Sequence, residues 1–233
     1  MRHAPDALML FAAGFGTRMG ALTTNRPKPL IPVAGRPLID HALALADDAG
    51  ISRRVANLHY LPDLLTAHLQ NRNVALSYER DQILETGGGL RAALPLLGAD
   101  PVFTLNTDAV WTGQNPLTQL RNAWDSARMD ALLLLLPAAK ALGHTGNGDF
   151  LIDDQGHIAR AGLADGMTYL GAQIIRTKSL NAISETVFSL NQVWDRMIAQ
   201  GRVFGLIHQG GWCDVGHPEG IAAAEAMLAA ANV

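Results

Sequence analysis

Phe11-Ala-Ala-Gly-Phe-Gly-Thr-Arg-Met19, followed by Asn25-Arg-Pro-Lys-Pro-Leu30, decides how this chain is read. An apolar run, Leu8–Ala13, breaks into small residues and glycines, and two cations follow, Arg18 and Lys28. A buried strand that opens into a glycine loop lets backbone N–H groups approach an anion closely, because glycine carries no Cβ. Pro27 and Pro29 fix φ on either side of Lys28 and hold that cation in a stiff extended segment. Together these features predict a polyphosphate site near the N-terminus.

Outward from that stretch, strands and helices alternate. Leu8–Ala13 reads as a buried parallel strand, and Pro37–Ala49 has helical apolar spacing that stops at Gly50. Arg53–Tyr60 reads as a strand, Pro62–Leu69 as a short helix with proline in its first turn, and Val74–Glu79 as a strand. A second glycine cluster, Glu85-Thr-Gly-Gly-Gly89, enters the helix Leu90–Leu97. The strand Pro101–Leu105 ends at Asn106-Thr-Asp108, and the helix Pro116–Ala127 precedes the uninterrupted apolar strand Ala131–Leu136. This order predicts an α/β fold: a single-domain, three-layer, Rossmann-like mixed and mostly parallel sheet with helices on both faces.

After Pro137 the pattern changes. A glycine-rich loop, Gly143–Gly148, leads into a hairpin over Phe150–Ile158 that turns at Asp154–Gly156. Thr168–Arg176 and Val203–His208 read as strands, Leu190–Gln200 and Pro218–Ala231 as helices. The second half reads as an extension of the sheet. Residues 1–136 then form one half of a single domain and 137–233 the other.

Composition bounds the chemistry. The chain has 233 residues, enough for a full core, with 48% apolar and 17% charged residues. A net charge of −3 argues against a nucleic-acid surface, so an anionic ligand must be met by local cations and metal. A single cysteine excludes an internal disulfide and fits a reducing compartment. No signal peptide or membrane span is legible, which makes the cytoplasm the expected location. The glycine loop lacks the third small residue of a dinucleotide fingerprint, where Met19 stands, and it lacks the Gly-Lys-Ser/Thr of a Walker loop.

Ala12-Ala-Gly-x-Gly-Thr-Arg-Met19 with Pro27-Lys-Pro-Leu-Ile-Pro-Val-Ala-Gly-Arg-Pro37 closely resembles the sugar-1-phosphate nucleotidyltransferases. The likeness continues through Leu84–Gly89, Asn106-Thr-Asp108, Gly148–Phe150 and Gly211-Trp-Cys-Asp-Val-Gly216. Within the family the chain looks most like the short bacterial enzymes that uridylylate N-acetylmuramic acid 1-phosphate in cell-wall recycling. Mannose-1-phosphate guanylyltransferase and glucose-1-phosphate thymidylyl- or uridylyltransferase are the alternatives. The resemblance implies an NTP and a sugar 1-phosphate as substrates, Mg²⁺ as cofactor, and no nucleic-acid or membrane partner in a monomer or dimer. It places Arg18 and Lys28 on the reacting phosphates and Asp108 and Asp214 on the metal. Ala12, Ala13, Gly14, Gly16, Thr17, Thr86, Gly87 and Gly88 fall on the nucleotide side; Gly148, Asp149 and Gly171 fall on the sugar side. No hexapeptide-repeat arm is expected at the C-terminus.

The residue types suit that chemistry. A sugar phosphate is already an anion at neutral pH, so the reaction needs positioning and charge neutralisation and no general base. Two positions depart from the family pattern. Thr107 stands where the family has glycine before the metal aspartate, and would be strained if φ there were positive. Phe15 replaces a small or polar loop residue. Thr107 motivates a second reading, a catalytically weakened nucleotide-binding regulatory module. Elsewhere structural roles are expected: Cys213 as a small buried residue, Trp124 and Trp194 as core, and Asp47-Asp48 and Asp153-Asp154 as solvated helix-end and turn residues. The eight histidines show no i,i+4 pair, which argues against a zinc site.

Overall fold

The structure, a computed structural model, describes residues 5–231. Its first strand shows how the layers arise. In β1 (Ala7–Phe11), side chains alternate between the two faces of the sheet. Leu8 and Leu10 join one apolar cluster, with Ile39, Leu43, Leu65, Leu117 and Leu120. Ala7 and Met9 join another on the opposite face, with Leu90, Leu97, Val193 and Met197. A strand buried on both faces must be apolar throughout, which is why Leu8–Ala13 reads as a continuous run.

The remaining elements follow in chain order. A small hairpin, β2 (Pro32–Val33) and β3 (Arg36–Pro37), leads into α1 (Leu38–Asp48). Next come β4 (Arg53–Leu58), α2 (Pro62–Leu69), β5 (Ala75–Tyr78), α3 (Glu85–Leu97), β6 (Val102–Asn106), β7 (Ala109–Trp111), α4 (Pro116–Ala123) and β8 (Ala131–Pro137). The second half holds β9 (Phe150–Ile152), β10 (Ile158–Arg160), β11 (Met167–Ile175), α5 (Leu190–Ala199), β12 (Val203–Ile207), β13 (Trp212–Asp214) and α6 (Glu219–Ala231). The large sheet runs β10-β9-β11-β6-β1-β4-β5, with β8 joined to β11 and β12 joined in turn to β8. Its β6-β1-β4-β5 half is parallel, and β11 crosses antiparallel to β6 and β8. The mixed sheet with helices on both faces is the predicted architecture. Among the described residues no helix is long and apolar enough to cross a membrane.

Three differences from expectation have physical causes. The predicted helix Pro116–Ala127 stops at Ala123, because Trp124 turns to an extended conformation (ψ 126°) and buries its ring in the core. The second glycine cluster is not a loop before a helix: α3 begins at Glu85 and contains all three glycines. The short ribbon of β7 and β13 has no counterpart in the sequence pattern, yet it builds the site. Its register pairs Asp214 with Ala109, and the Val215 amide donates to the Asp108 carbonyl at 2.9 Å.

Candidate active site

The carboxyl ends of β1, β4 and β6 open on one cavity of about 210 Å³, where an open α/β sheet is expected to bind its ligand. Ala12, Ala13 and Gly14 form one wall, Ile83, Glu85 and Thr86 another, and Lys28, Asp108 and Asn106 its polar end. In the loop, the amides of Gly14, Phe15 and Gly16 have no partner among the described residues. Gly16 needs its φ of 64°, and a Cβ there would stand 2.9 Å from Cβ of Lys28. Glycine thus brings the loop flush against the lysine segment, which is not extended as expected: Lys28–Leu30 is a short 3-10 turn, in which the Ile31 amide donates to the Lys28 carbonyl at 3.0 Å.

Lys28 is buried, and its Nζ donates to Asp108 Oδ2 at 2.8 Å. Arg18 lies in the 3-10 turn Thr17–Thr23, exposed. It faces the second carboxylate: the point where a Cβ on Gly216 would stand is 3.4 Å from Nη1 of Arg18 and 2.5 Å from Oδ2 of Asp214. Burial pushes the Asp214 carboxyl above the usual range, and the Asp108 charge adds to that push. Lys28, Arg18 and His144 pull it back down. The structure therefore gathers two cations and two carboxylates that are far apart in sequence. Cys213, next to them, is buried, and burial followed by the Asp214 charge pushes its thiol up to about 11. It is no nucleophile at neutral pH.

Thr107 is not strained. Its φ is not positive, and its hydroxyl donates to the Phe11 carbonyl at 2.7 Å, capping the end of β1. The condition under which Thr107 would be strained is not met. Phe15 is half exposed and sits edge-on to His59 at 5.2 Å and tilted to Tyr60 at 5.7 Å, pinning the loop tip to the end of β4.

The expected sugar residues cluster around a second cavity of about 220 Å³, which shares Thr86 with the first. Asp149 lines it, and its Oδ2 accepts from the Tyr169 amide at 2.8 Å. Tyr169, Phe150 and Trp194 form its aromatic side, with Tyr169 and Trp194 rings 5.0 Å apart. Gly148 and Gly171 serve from behind. Gly148 (φ 100°) lies against the backbone of Gly166. Gly171 (φ 81°) sits where β11 shifts register, and a Cβ there would press 2.7 Å from the Asn106 side chain.

Gly87 and Gly88 are placed differently from their expected position on the nucleotide side. Gly87 and Gly88 both donate their amides to the Phe188 carbonyl, at 2.9 and 3.0 Å. Neither lines the cavity; Thr86 of the same cluster does. Sequence reasoning missed Asn57, which lines the first cavity from the end of β4. A lone asparagine in the apolar run Val55-Ala-Asn-Leu58 was its only signal. It also missed Glu85, which opens α3 with φ at 59°, a left-handed conformation that non-glycine residues adopt mainly at functional or over-determined positions.

An anion loop, paired cations and paired carboxylates, with no activated nucleophile, suit phosphoryl chemistry that runs on charge neutralisation, and the class is nucleotidyl transfer. A family model described as the MobA-like NTP transferase domain matches residues 8–144, and the chain belongs to that family of nucleotidyltransferases. It is 40% identical to the N-acetylmuramate alpha-1-phosphate uridylyltransferase of Caulobacter vibrioides, over 99% of this chain and all of that one. It is 34% identical to the enzyme of the same name from Neisseria meningitidis, over 89% of this chain and 92% of the relative. Among solved structures it resembles the inositol-1-phosphate CTP transferase from T. maritima, with a TM-score of 0.75, 17% identity, and 94% and 93% of the two chains covered.

Proposed function

We propose that this chain transfers a uridylyl group from UTP to N-acetylmuramate α-1-phosphate, releasing pyrophosphate, and so serves the re-use of cell-wall amino sugars in the cytoplasm. The observation that carries the reading is the convergence of Arg18, Lys28, Asp108 and Asp214 beside an unpartnered glycine loop. The near full-length likeness to the Caulobacter enzyme supports the choice of substrates.

In the reaction a sugar-phosphate oxygen attacks the α-phosphorus, a new P–O bond forms there, and the α–β bridge bond breaks to release pyrophosphate. The Gly14–Gly16 amides receive the triphosphate. Lys28, rigid between its prolines, exchanges its bond to Asp108 for the α-phosphate and the incoming phosphate, drawing two anions together. Arg18, a planar fork on the exposed rim, holds the leaving pyrophosphate. Two carboxylates that repel each other are a donor set suited to Mg²⁺, which takes one or two carboxylates and completes its shell with phosphate oxygens and water. Asp108 and Asp214 would hold it, and it would supply further neutralisation of phosphate charge. Thr107, accommodated without strain, removes the reason for reading the chain as a weakened module.

Pyrophosphate release measured over four NTPs and a panel of sugar 1-phosphates, with and without Mg²⁺, tests this. UTP with N-acetylmuramate α-1-phosphate should be turned over fastest, and only with the metal. Faster turnover of mannose or glucose 1-phosphate would replace the substrate assignment. No turnover of any pair, alongside measurable NTP binding, would end the enzymatic one.

A further inference from the structure

Glu79 is a buried carboxyl that the proposed chemistry leaves unused. It lies just past β5, 4% exposed, and no Arg, Lys or His forms an ion pair with it among the described residues. A carboxylate buried without a cation is costly unless hydrogen bonds satisfy it. Here Oε1 accepts from Asn57 Nδ2 at 2.7 Å and Oε2 accepts from the Leu84 amide at 2.7 Å. Asn57 passes the connection on, since its Oδ1 accepts from the Ala12 amide at 2.8 Å. The backbone of Glu79 is held as well: its amide donates to the Leu58 carbonyl at 2.8 Å, and its carbonyl accepts from Nδ1 of His59 at 2.7 Å.

The two ends of this network are the two walls of the first cavity. Ala12 begins the glycine loop, and Leu84 sits between Ile83 and Glu85, both of which line the opposite wall. Glu79 itself does not line the cavity. Gly89 is shaped around it, because a Cβ there would stand 2.7 Å from Glu79 Oε1 and 2.9 Å from Asn57 Nδ2. We propose that Glu79 is a positioning residue, a tether that sets the spacing between the glycine loop and the Ile83–Thr86 wall and thereby the fit of the nucleoside triphosphate. The inference rests on the nucleotidyltransferase reading of that cavity.

Only an acceptor at both ends satisfies the network. Glutamine at position 79 brings one donor, which must face either the Leu84 amide or Asn57 Nδ2. If Asn57 turns its amide to meet it, the mismatch moves to the Ala12 amide. One wall comes loose in every arrangement. Aspartate keeps the charge but falls short by a methylene and cannot span both partners.

The test compares wild type, Glu79→Gln and Glu79→Asp by calorimetric Kd for the NTP that wild type binds best, and by KM and kcat for that NTP and its sugar 1-phosphate. Both variants should weaken NTP Kd and KM about tenfold, the scale of one charge-assisted hydrogen bond. The sugar-phosphate KM and kcat should stay within about twofold in folded protein. The tether is wrong if either variant binds NTP like wild type, or if kcat falls and both KM values rise together in step with a loss of thermal stability. The Kd is read without turnover, so failure of the substrate assignment, visible first in wild type, leaves this outcome separate.

Discussion

Two glycine-rich segments that look alike in sequence do opposite things. Gly14 keeps a loop open: a Cβ there would meet nothing within 4 Å, and the amides of Gly14, Phe15 and Gly16 have no partner among the described residues. Gly87, Gly88 and Gly89 are buried in α3, and each has been emptied of its side chain for a neighbour: the Phe188 ring, the Thr186 carbonyl, and the Glu79–Asn57 pair. Gly14 leaves open space at the cavity wall, whereas the three helix glycines, like Gly16 against Lys28, make room for the protein itself. Local sequence does not separate the two uses, because the difference lies in what long-range packing brings alongside.

The largest expected effects fall on the open side. Lys28→Ala should lower kcat by about 10²–10³-fold, the scale of losing a preorganised donor to transition-state charge. Asp108→Asn should remove Mg²⁺-dependent turnover while the circular dichroism spectrum stays native. If either variant keeps near wild-type turnover, the open cluster is not where the reacting phosphates lie. The packed side predicts the reverse. Gly88→Ala must push against the Thr186 backbone and should cost about 1–3 kcal/mol of stability by denaturant titration. Gly14→Ala meets no atom and should leave the melting temperature unchanged while raising KM for the NTP. Equal stability losses in the two variants would dissolve the distinction.

The same division explains what could be read in advance. The strand order, the glycine loop and the prolines that flank Lys28 are local patterns, carried by alternation, glycine and proline over a dozen or so residues. Asp108 was legible as a carboxylate at a strand end, and Asp214 only through family likeness, since the β7–β13 ribbon that joins them is six residues of unremarkable sequence. Phe188 and Thr186, which explain Gly87 and Gly88, come from the segment before α5, about a hundred positions away. Asn57 stands alone in an apolar run and Glu79 merges into the polar run Glu79-Arg-Asp-Gln82, so no motif marks a tether whose ends meet only in the folded chain. Thr107 misled because a residue type suggests a strain that only the actual φ can confirm.

A smaller effect probes the electrostatics of the open side. Asp214→Asn removes a carboxyl whose burial and proximity to Asp108 disfavour its charge, so the metal-free variant should melt a few degrees higher at pH 7. The sign follows from linkage. A carboxyl whose folded pKa is raised above 3.8 binds more protons in the folded state, and its contribution to stability is lost as pH rises through the folded value. The gain in Asp214→Asn should therefore be present at pH 7 and vanish as pH falls through the raised pKa. Mg²⁺ should stabilise wild type more than the variant, because a ligand stabilises only the state that binds it. A gain that persists at acid pH would mean that Asp214 is disfavoured by packing and not by its charge.

With Asp214 neutral, the smallest slope becomes visible, and it has the opposite sign. Burial holds the His208 and His41 imidazoles below their ordinary 6.5, the first stacked edge-on to Trp111 beneath the β7–β13 ribbon. His208 Nδ1 accepts from Gln119 Nε2 at 2.9 Å, which keeps the neutral ring in place. Between their lowered folded values and 6.5 the unfolded chain binds more protons, so their contribution to stability falls as pH drops through that window. The melting temperature of Asp214→Asn should thus decline below about pH 6.5. His208→Gln in the same background should flatten the decline, since the Gln119 contact can be kept without a titrating ring. A slope unchanged by that substitution would assign the acid sensitivity to His41 and to the α1 side of the sheet, away from the ribbon that carries Asp214.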